Sequence, residues 1–194
     1  PVTPPANGST NTGLTLTASA LAAPGTFSVT ITGTAGSLVH STTLTLTVSP
    51  PGPITVFSDD AESAITSFTL SNTTTSTTWT RSTSLPYAGT YSWKAGSSTG
   101  GNYGNNGDAR MTTPSFSLAG ATGATLTYAF KHRTQAGFDF FEVRISVDGG
   151  TNWTNLVRVS GRSANYSAWA PLASINLNAY MGQTNVRLQF RLTS

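Results

Sequence analysis

The chain has 194 residues and no cysteine, and 9% of its residues are charged, against about 25% in a typical soluble protein. The missing cysteine excludes a disulfide framework, a thiolate metal site and a cysteine nucleophile. The 10 basic residues are spread singly, which argues against a nucleic-acid partner, and no apolar run reaches the length of a membrane span. The abundant aromatic residues and low charge indicate an extracellular all-β protein.

Residues 1–49 are predicted to form a first β-module. Apolar and hydroxyl residues alternate with a period of two in residues 14–19, 27–32 and 44–48, which is the pattern of half-buried strands. A complete immunoglobulin-like sandwich needs about seven strands and about 100 residues. The first module is therefore predicted to be a partial immunoglobulin-like sandwich.

A change in composition marks the end of this module. Every Lys, Arg, Asp and Glu lies after Ser58, and residues 50–53 read Pro-Pro-Gly-Pro. Prolines donate no ladder hydrogen bonds and favour an extended conformation, so this stretch is predicted to be a short, semi-rigid linker. The predicted organisation is a module at 1–49, a linker at 50–53 and a second domain at 54–194.

The second domain is predicted to be an antiparallel jelly-roll sandwich. Short segments of strand type recur at regular spacing, and none has a helical period. The clearest is residues 185–192, where apolar residues alternate with Arg187, Gln189 and Arg191, as expected of a strand with one face toward water. The run Asp148-Gly149-Gly150 predicts a tight hairpin turn, because Asp and Gly tolerate positive φ.

Two stretches resemble known families. Residues 12–48, with Ala23-Pro-Gly-Thr-Phe27 and His40-Ser-Thr-Thr-Leu44, resemble the C-terminal half of immunoglobulin-like repeats of secreted bacterial proteins. Residues 54–194 resemble the jelly-roll domain of the immune-inhibitor-A type, related to MAM and galactose-binding-like domains, in segments 59–63, 87–93, 103–118 and 180–192.

The resemblance implies that both modules are cut. The repeat lacks its first strands, and the jelly roll stops before its usual last strand. Such modules expose unpaired edge backbone, which is normally covered or paired. Flanking sequence or a neighbouring chain is expected to supply the strands.

The acidic residues indicate a candidate metal site. Asp59, Asp60 and Glu62 lie at the entrance of a predicted strand, and Asp108 follows a loop rich in Asn and Gly. Carboxylate and carbonyl oxygens are the ligands that Ca²⁺ takes in proteins. The resemblance implies a structural calcium ion, held by Glu62 and Asp108 first and then by Asp60. The alternative is a solvated turn with an Asx cap.

Aromatic residues in loop-like sequence are candidates for sugar binding. Tyr103 lies in a segment rich in Gly and Asn, while Tyr166 and Trp169 lie in residues 163–169. Many lectins and carbohydrate-binding modules are jelly rolls, and exposed rings stack on sugars. Tyr103, Tyr166 and Trp169 are therefore the predicted ligand-binding residues, whereas Trp79 and Trp93 fall in strands and are predicted to be core.

The sequence has no motif that pairs carboxylates or places a nucleophile beside a base, so the protein is predicted not to be an enzyme. The expected function is that of a non-catalytic accessory region in a secreted or surface-attached bacterial multidomain protein, such as a peptidase, serving attachment or substrate binding. Two alternatives stay open: a structural subunit of an extracellular filament assembled by strand complementation, and a lectin-like carbohydrate-binding module. The expected partners are neighbouring domains, identical subunits or a cell-surface glycan.

Overall fold

A computed structural model describes residues 3, 8–19, 22–50, 52–64, 66–97, 101–163, 169 and 172–194. By its internal contacts the chain divides into two compact units, Pro1–Ile54 and Thr55–Ser194. The described residues contain β-strands and one short 3₁₀ helix but no α-helix, so the predicted all-β class is confirmed. No helix in these residues has the length and apolar character needed to cross a membrane.

The first unit contains one long β-hairpin. Strand β1 (Gly25–Ala35) pairs antiparallel with β2 (Leu38–Val48) over eleven residue pairs. Gly36, with φ +60°, forms the turn with Ser37, and this left-handed conformation is the one that glycine adopts without strain. Because side chains alternate, one face of the hairpin is apolar and the other carries mainly Thr and Ser.

The strand predicted at residues 14–19 is absent from the structure. This segment lines a cleft with the end of β2 but has no ladder pairing. A period of two only makes a segment suitable for pairing, and the strand forms when a partner edge accepts its hydrogen bonds. The other two predicted strands are present and are longer than predicted, because their hairpin extends to the turn on both sides.

Nine strands and the 3₁₀ helix Asn178–Tyr180 make up the described part of the second unit. The strands are β3 (Thr69–Asn72), β4 (Thr78–Ser82), β5 (Ser92–Gly96), β6 (Asp108–Thr112), β7 (Thr125–Tyr128), β8 (Phe140–Ser146), β9 (Thr154–Val159), β10 (Ala173–Asn176) and β11 (Arg187–Thr193). Five of them form an antiparallel sheet in the order β3-β6-β11-β8-β9. The pairs β4-β5 and β7-β10 form two small sheets.

The core lies between the five-stranded sheet and the two small sheets. Trp79 of β4 packs with Met111 of β6 and Val143 of β8, and Tyr128 of β7 and Ile175 of β10 pack against the same cluster. The small sheets therefore cover one face of the large sheet, and the unit is a two-layered β-sandwich.

Local features of the second unit follow the sequence pattern. In β11, Leu188 and Leu192 are buried in the core, and Arg187 and Arg191 lie on the opposite face. Asp148 stabilises the β8-β9 hairpin, since its carboxylate accepts hydrogen bonds from the backbone N–H groups of Thr151 and Asn152, three and four residues further along. The alternation in β11 and the presence of a hairpin are confirmed, but its connection has seven residues and is longer than the tight turn predicted.

Candidate functional site

The face of the five-stranded sheet that points away from the core is here called the outer face. It carries five of the ten basic residues of the chain: Arg110 of β6, Arg144 of β8, Arg158 of β9, and Arg187 and Arg191 of β11. One row of directly opposed residues crosses all five strands in the order Ser71, Arg110, Arg191, Glu142 and Arg158. Residues spread singly in sequence are thus brought together by strand register.

Asp108 lies at one end of this face and binds two arginines. Arg191 donates from Nε to Oδ1 and from Nη2 to Oδ2, each at 2.9 Å, and Arg110 donates to the same two oxygens. Bidentate pairs of this kind are among the strongest hydrogen bonds in proteins. The bonds from Arg191 hold the pKa of the Asp108 carboxyl well below its usual range.

Glu142 is bound in the same way in the middle of the face. Its Oε1 accepts from Nε of Arg158 and its Oε2 from Nη1 of Arg191, both at 3.0 Å. The side chain is 6% exposed, because the arginines cover it. Arg191 therefore connects both carboxylates, and its bonds to Asp108 raise the pKa of its guanidinium above the usual value.

A row of amide and hydroxyl groups lies beside the charged row. Gln189 donates from Nε2 to Thr112 Oγ1 at 3.0 Å and accepts from Arg144 Nη1 at 3.3 Å. Gln189 is 5% exposed, so the face predicted to be wet is covered at this position by its longer neighbours. The polar groups of the outer face are consequently fixed in direction before any ligand arrives.

Two arginines of the outer face lack an acidic partner. The described ion pairs involve only Arg110, Arg158 and Arg191, and the Nε atoms of Arg144 and Arg187 are buried without a hydrogen-bond partner. Burial lowers the pKa of Arg144, and the positive charge of Arg191 lowers it further. Neither arginine therefore forms an ion pair in the described part of the chain, and the carboxylates of Glu142 and Asp108 act on Arg144 only at longer range.

Aromatic rings lie beside Arg158 and Arg144 of the outer face. The guanidinium carbon of Arg158 lies 3.4 Å from the ring centre of Phe140, and that of Arg144 lies 5.5 Å from the ring centre of Trp153. Trp153 is held on the hairpin by a hydrogen bond from Nε1 to Gly150 O at 2.9 Å. These contacts favour a fixed orientation of the guanidinium groups.

The residues predicted to bind calcium do not come together. Oε1 of Glu62 accepts from the backbone N–H groups of Thr90 and Tyr91 at 2.9 Å, and Oδ1 of Asp60 accepts from Glu62 N at 3.0 Å. Asp108 instead binds its arginines. In the described part of the chain, no group of three or more His, Cys, Asp or Glu side chains could hold a metal ion. Calcium binding stays a prediction from the resemblance.

Tyr103 is bound inside the domain. Its hydroxyl donates to Oδ2 of the buried Asp139 at 2.7 Å and accepts from Gln135 N at 3.0 Å. Burial raises the pKa of Tyr103, and the bond to Asp139 raises it further. The hydroxyl group of Tyr103, which was predicted to meet a ligand, is therefore already hydrogen-bonded within the domain.

Trp169 lies in a small cluster at a different place. Its Nε1 donates to Pro86 O at 2.8 Å, its ring meets the half-exposed ring of Tyr87 edge to face at 5.3 Å, and Lys131 Nζ lies 4.5 Å from its centre. Tyr166, the third predicted ligand-binding residue, lies outside the described residues. The described contacts of Tyr103 and of Trp169 therefore share no residue.

The outer face was not predicted as a site. The alternation in residues 185–192 indicated that Arg187 and Arg191 share a face, but sequence gives no order of strands in a sheet. The signal that could have found it is the recurrence of arginine at outward positions of several predicted strands.

The chain matches no protein-family model and no curated protein sequence. Among solved structures it is similar to one described as concerning the promiscuous specificity of carbohydrate-binding modules from the β-sandwich superfamily, with 15% sequence identity and a TM-score of 0.41. The similarity covers 89% of this chain and 68% of that chain. At this identity and TM-score it says nothing about a ligand of this chain.

Proposed function

We propose that this chain is a non-catalytic binding module that holds a polysaccharide against the outer face of the five-stranded sheet. The observation that carries the proposal is the array of fixed polar groups on that face. Arg158 and Arg110 keep 51% and 42% of their side chains exposed while Glu142 and Asp108 hold them in place. Groups that are already ordered lose little side-chain entropy when a ligand binds.

The chemistry of the array suits a sugar. Sugar hydroxyl groups accept hydrogen bonds from N–H donors, and the face presents the guanidinium groups of Arg110 and Arg158, which Asp108 and Glu142 hold in place. Phe140 and Trp153 add apolar ring surface beside the polar groups. A few directed polar groups next to aromatic rings are the usual composition of ligand sites.

The same contacts favour binding over hydrolysis. A carboxyl group that acts as a general acid needs a raised pKa, which burial away from positive charge provides. Asp108 has a lowered pKa because of Arg191, and Glu142 accepts from two arginines. The proposed role therefore needs no catalytic step. The resemblance of residues 54–194 to an accessory jelly roll supports a place in a secreted bacterial protein, where the module would attach it to a glycan.

Affinity electrophoresis tests this function. The 194-residue chain is run through native gels that contain a soluble polysaccharide, across neutral and acidic polymers. Retardation by at least one polymer is expected, and Arg110→Gln with Arg158→Gln should weaken it about tenfold, equal to about 1.4 kcal/mol. Arg133→Gln with Arg162→Gln, which removes the same two charges from exposed positions outside the sheet, is the matched control. Free migration through every polymer would contradict the proposal.

A second candidate function rests on the hairpin of the first unit. β1 and β2 form a two-stranded sheet with no further strand paired to either edge among the described residues, and Phe27, Ile31 and Leu38 are exposed on its apolar face. Proteins usually protect such edges with charged residues, but this unit has none. We propose that strand addition between copies of the chain completes the sheet.

Size-exclusion chromatography and negative-stain microscopy test strand addition. Concentration-dependent oligomers or fibres are expected, and Ile31→Lys should abolish them by placing a charge on the apolar face. Phe138→Lys, at an exposed position in the second unit, should leave assembly intact. A monomer at all concentrations would contradict this second function.

A further inference from the structure

We infer that the polysaccharide held on the outer face is anionic, and that Arg144 and Arg187 bind its acidic groups. This inference rests on the proposed function, because it names the class of glycan for the same face. Three observations support this inference: the charge balance of the outer face, the position of Arg144 and Arg187, and the Trp153 ring beside them.

The charge balance of the outer face is positive. Five arginines lie on it against three carboxylates: Asp108 and Glu142, each bound by two arginines, and Asp148, whose Oδ1 accepts at 2.7 Å from Oγ of Ser146, the residue opposite Arg187. The ion pairs of the described residues leave Arg144 and Arg187 without an acidic partner. A surface with excess charge of one sign attracts a polymer of the opposite sign and raises its rate of association.

The two unpaired arginines are neighbours. Arg187 is opposite Ser146 on β8, and Arg144 is two residues before Ser146 on the same strand and face. Side chains at such diagonal positions have Cα atoms about 7–8 Å apart, which long guanidinium side chains bridge easily. One acidic group of a ligand could therefore contact both.

The surroundings of these arginines favour an incoming anion. Each has an Nε–H group that is buried and makes no hydrogen bond, so this group has lost its hydration without a compensating contact. Burial and the charge of Arg191 disfavour the charged form of Arg144 more than Glu142 and Asp108 favour it. A carboxylate or sulfate group at the solvent-facing side of the guanidinium would offset this cost, since its oxygens match the planar fork of arginine.

Trp153 adds a surface for the sugar ring. The Arg144 guanidinium lies over its ring, and a Cβ atom at Gly150 would stand 3.5 Å from Trp153 Cζ2 and 3.7 Å from Arg187 Cδ. The ring, the hairpin backbone and both arginines thus adjoin one another. The apolar face of a pyranose can pack on the indole while its acidic group reaches the guanidinium groups. Uronic acids and sulfated sugars both combine a pyranose ring with an acidic group.

Three polymers serve as probes: polygalacturonate for carboxylates, dextran sulfate for sulfates and dextran as the neutral reference. Retardation of the native chain by polygalacturonate or dextran sulfate, weakening with added NaCl, is expected. Whichever acidic polymer binds identifies the acidic group. In the double variant Arg144→Gln/Arg187→Gln, affinity should fall at least about tenfold, equal to about 1.4 kcal/mol, while the control Arg133→Gln/Arg162→Gln, which loses the same charge at exposed positions, binds as the native chain does.

Arg187→Lys provides a second variant in case the double variant does not fold. It keeps the positive charge but loses the planar fork, so affinity should fall while the melting temperature is unchanged. Equal losses in Arg133→Gln/Arg162→Gln and in Arg144→Gln/Arg187→Gln would overturn the inference, because general charge would then explain binding. Retardation by dextran that is equal to that by the acidic polymers would also overturn it, although the proposed function would stand. Free migration through all three polymers and every other polysaccharide would contradict both the inference and the proposed function.

Discussion

Arg191 and Asp108, 83 residues apart in sequence, share two parallel hydrogen bonds of 2.9 Å across the outer face. The pair joins β11 to the start of β6, and the same arginine also binds Glu142 of β8. One side chain therefore cross-links the three central strands of the sheet. The stability of the sandwich should depend on this pair more than on any exposed ion pair, because its geometry is bidentate and half-shielded from water.

Substitution of Asp108 by asparagine is expected to lower the free energy of unfolding by about 1–3 kcal/mol, because hydrogen bonds to a charged group are lost and Arg191 keeps a partly buried charge. Urea denaturation followed by tryptophan fluorescence measures the change. Asp60→Asn is the control, since Asp60 accepts a backbone N–H and can still do so as an amide. Equal stability of the native chain and Asp108→Asn would contradict the assigned role.

The stability of the native chain should fall in acid. Bonds from Arg191 lower the pKa of Asp108, and backbone hydrogen bonds from Asn152 lower that of Asp148. A carboxyl group whose pKa is lower in the folded state stabilises that state fully above its unfolded pKa, about 3.9 for Asp, and loses this effect as the pH falls below it. Melting temperatures between pH 7 and 2 should therefore decline below about pH 4. Asp108→Asn should show a shallower decline than the native chain. If the two melting curves fall in parallel with pH, Asp108 is not the source of the acid sensitivity.

Tyr103→Phe tests whether the hydroxyl of Tyr103 has a structural role. The substitution removes the donor to the buried Asp139 and the acceptor for Gln135 N, so the free energy of unfolding should fall by about 1–2 kcal/mol. Polysaccharide retardation should stay unchanged, because the hydroxyl group is already hydrogen-bonded within the domain. A loss of retardation with unchanged stability would instead support the ligand role predicted from the sequence.

Glu62 is expected to stabilise the loop before β5. Its Oε1 accepts from Thr90 N and Tyr91 N, and Gly89, with φ +64°, would place a Cβ atom 2.5 Å from the same oxygen. Glu62→Ala should lower stability by about 1 kcal/mol, whereas Glu62→Gln keeps an acceptor oxygen and should cost less. Hydrogen exchange at Thr90 and Tyr91 measures the effect directly. If Thr90 and Tyr91 in Glu62→Ala are as well protected as in the native chain, the carboxylate does not hold this loop.

Local pattern predicted local structure well in this chain. The alternation in residues 185–192 gave the buried and outward sides of β11, and the Asp148 turn gave the β8-β9 hairpin. Residues 14–19 have the alternating pattern of a strand but form none, because no neighbouring strand pairs with them. Pairing is decided by distant edges, which a period of two does not describe.

The site was harder to predict because its residues meet only through strand order. Asp108 looked like a metal ligand while acidic residues were counted along the sequence. In the sheet, β11 places Arg191 beside it, and that neighbour decides its chemistry. The scarcity of charge drew attention to Asp108, but the sequence did not indicate that Arg110 and Arg191 would lie beside it.

The position of β11 has a consequence for how the chain is made. This strand is the last of the nine in sequence, yet it occupies the middle of the five-stranded sheet, between β6 and β8. While the chain emerges from the ribosome, β3 with β6 and β8 with β9 have no strand to connect them. The sheet can close only after residues 187–193 have been synthesised, and the long sequence separation of these contacts makes that step slow. The second unit would therefore keep unpaired strand edges, accessible to chaperones, until β11 has been synthesised.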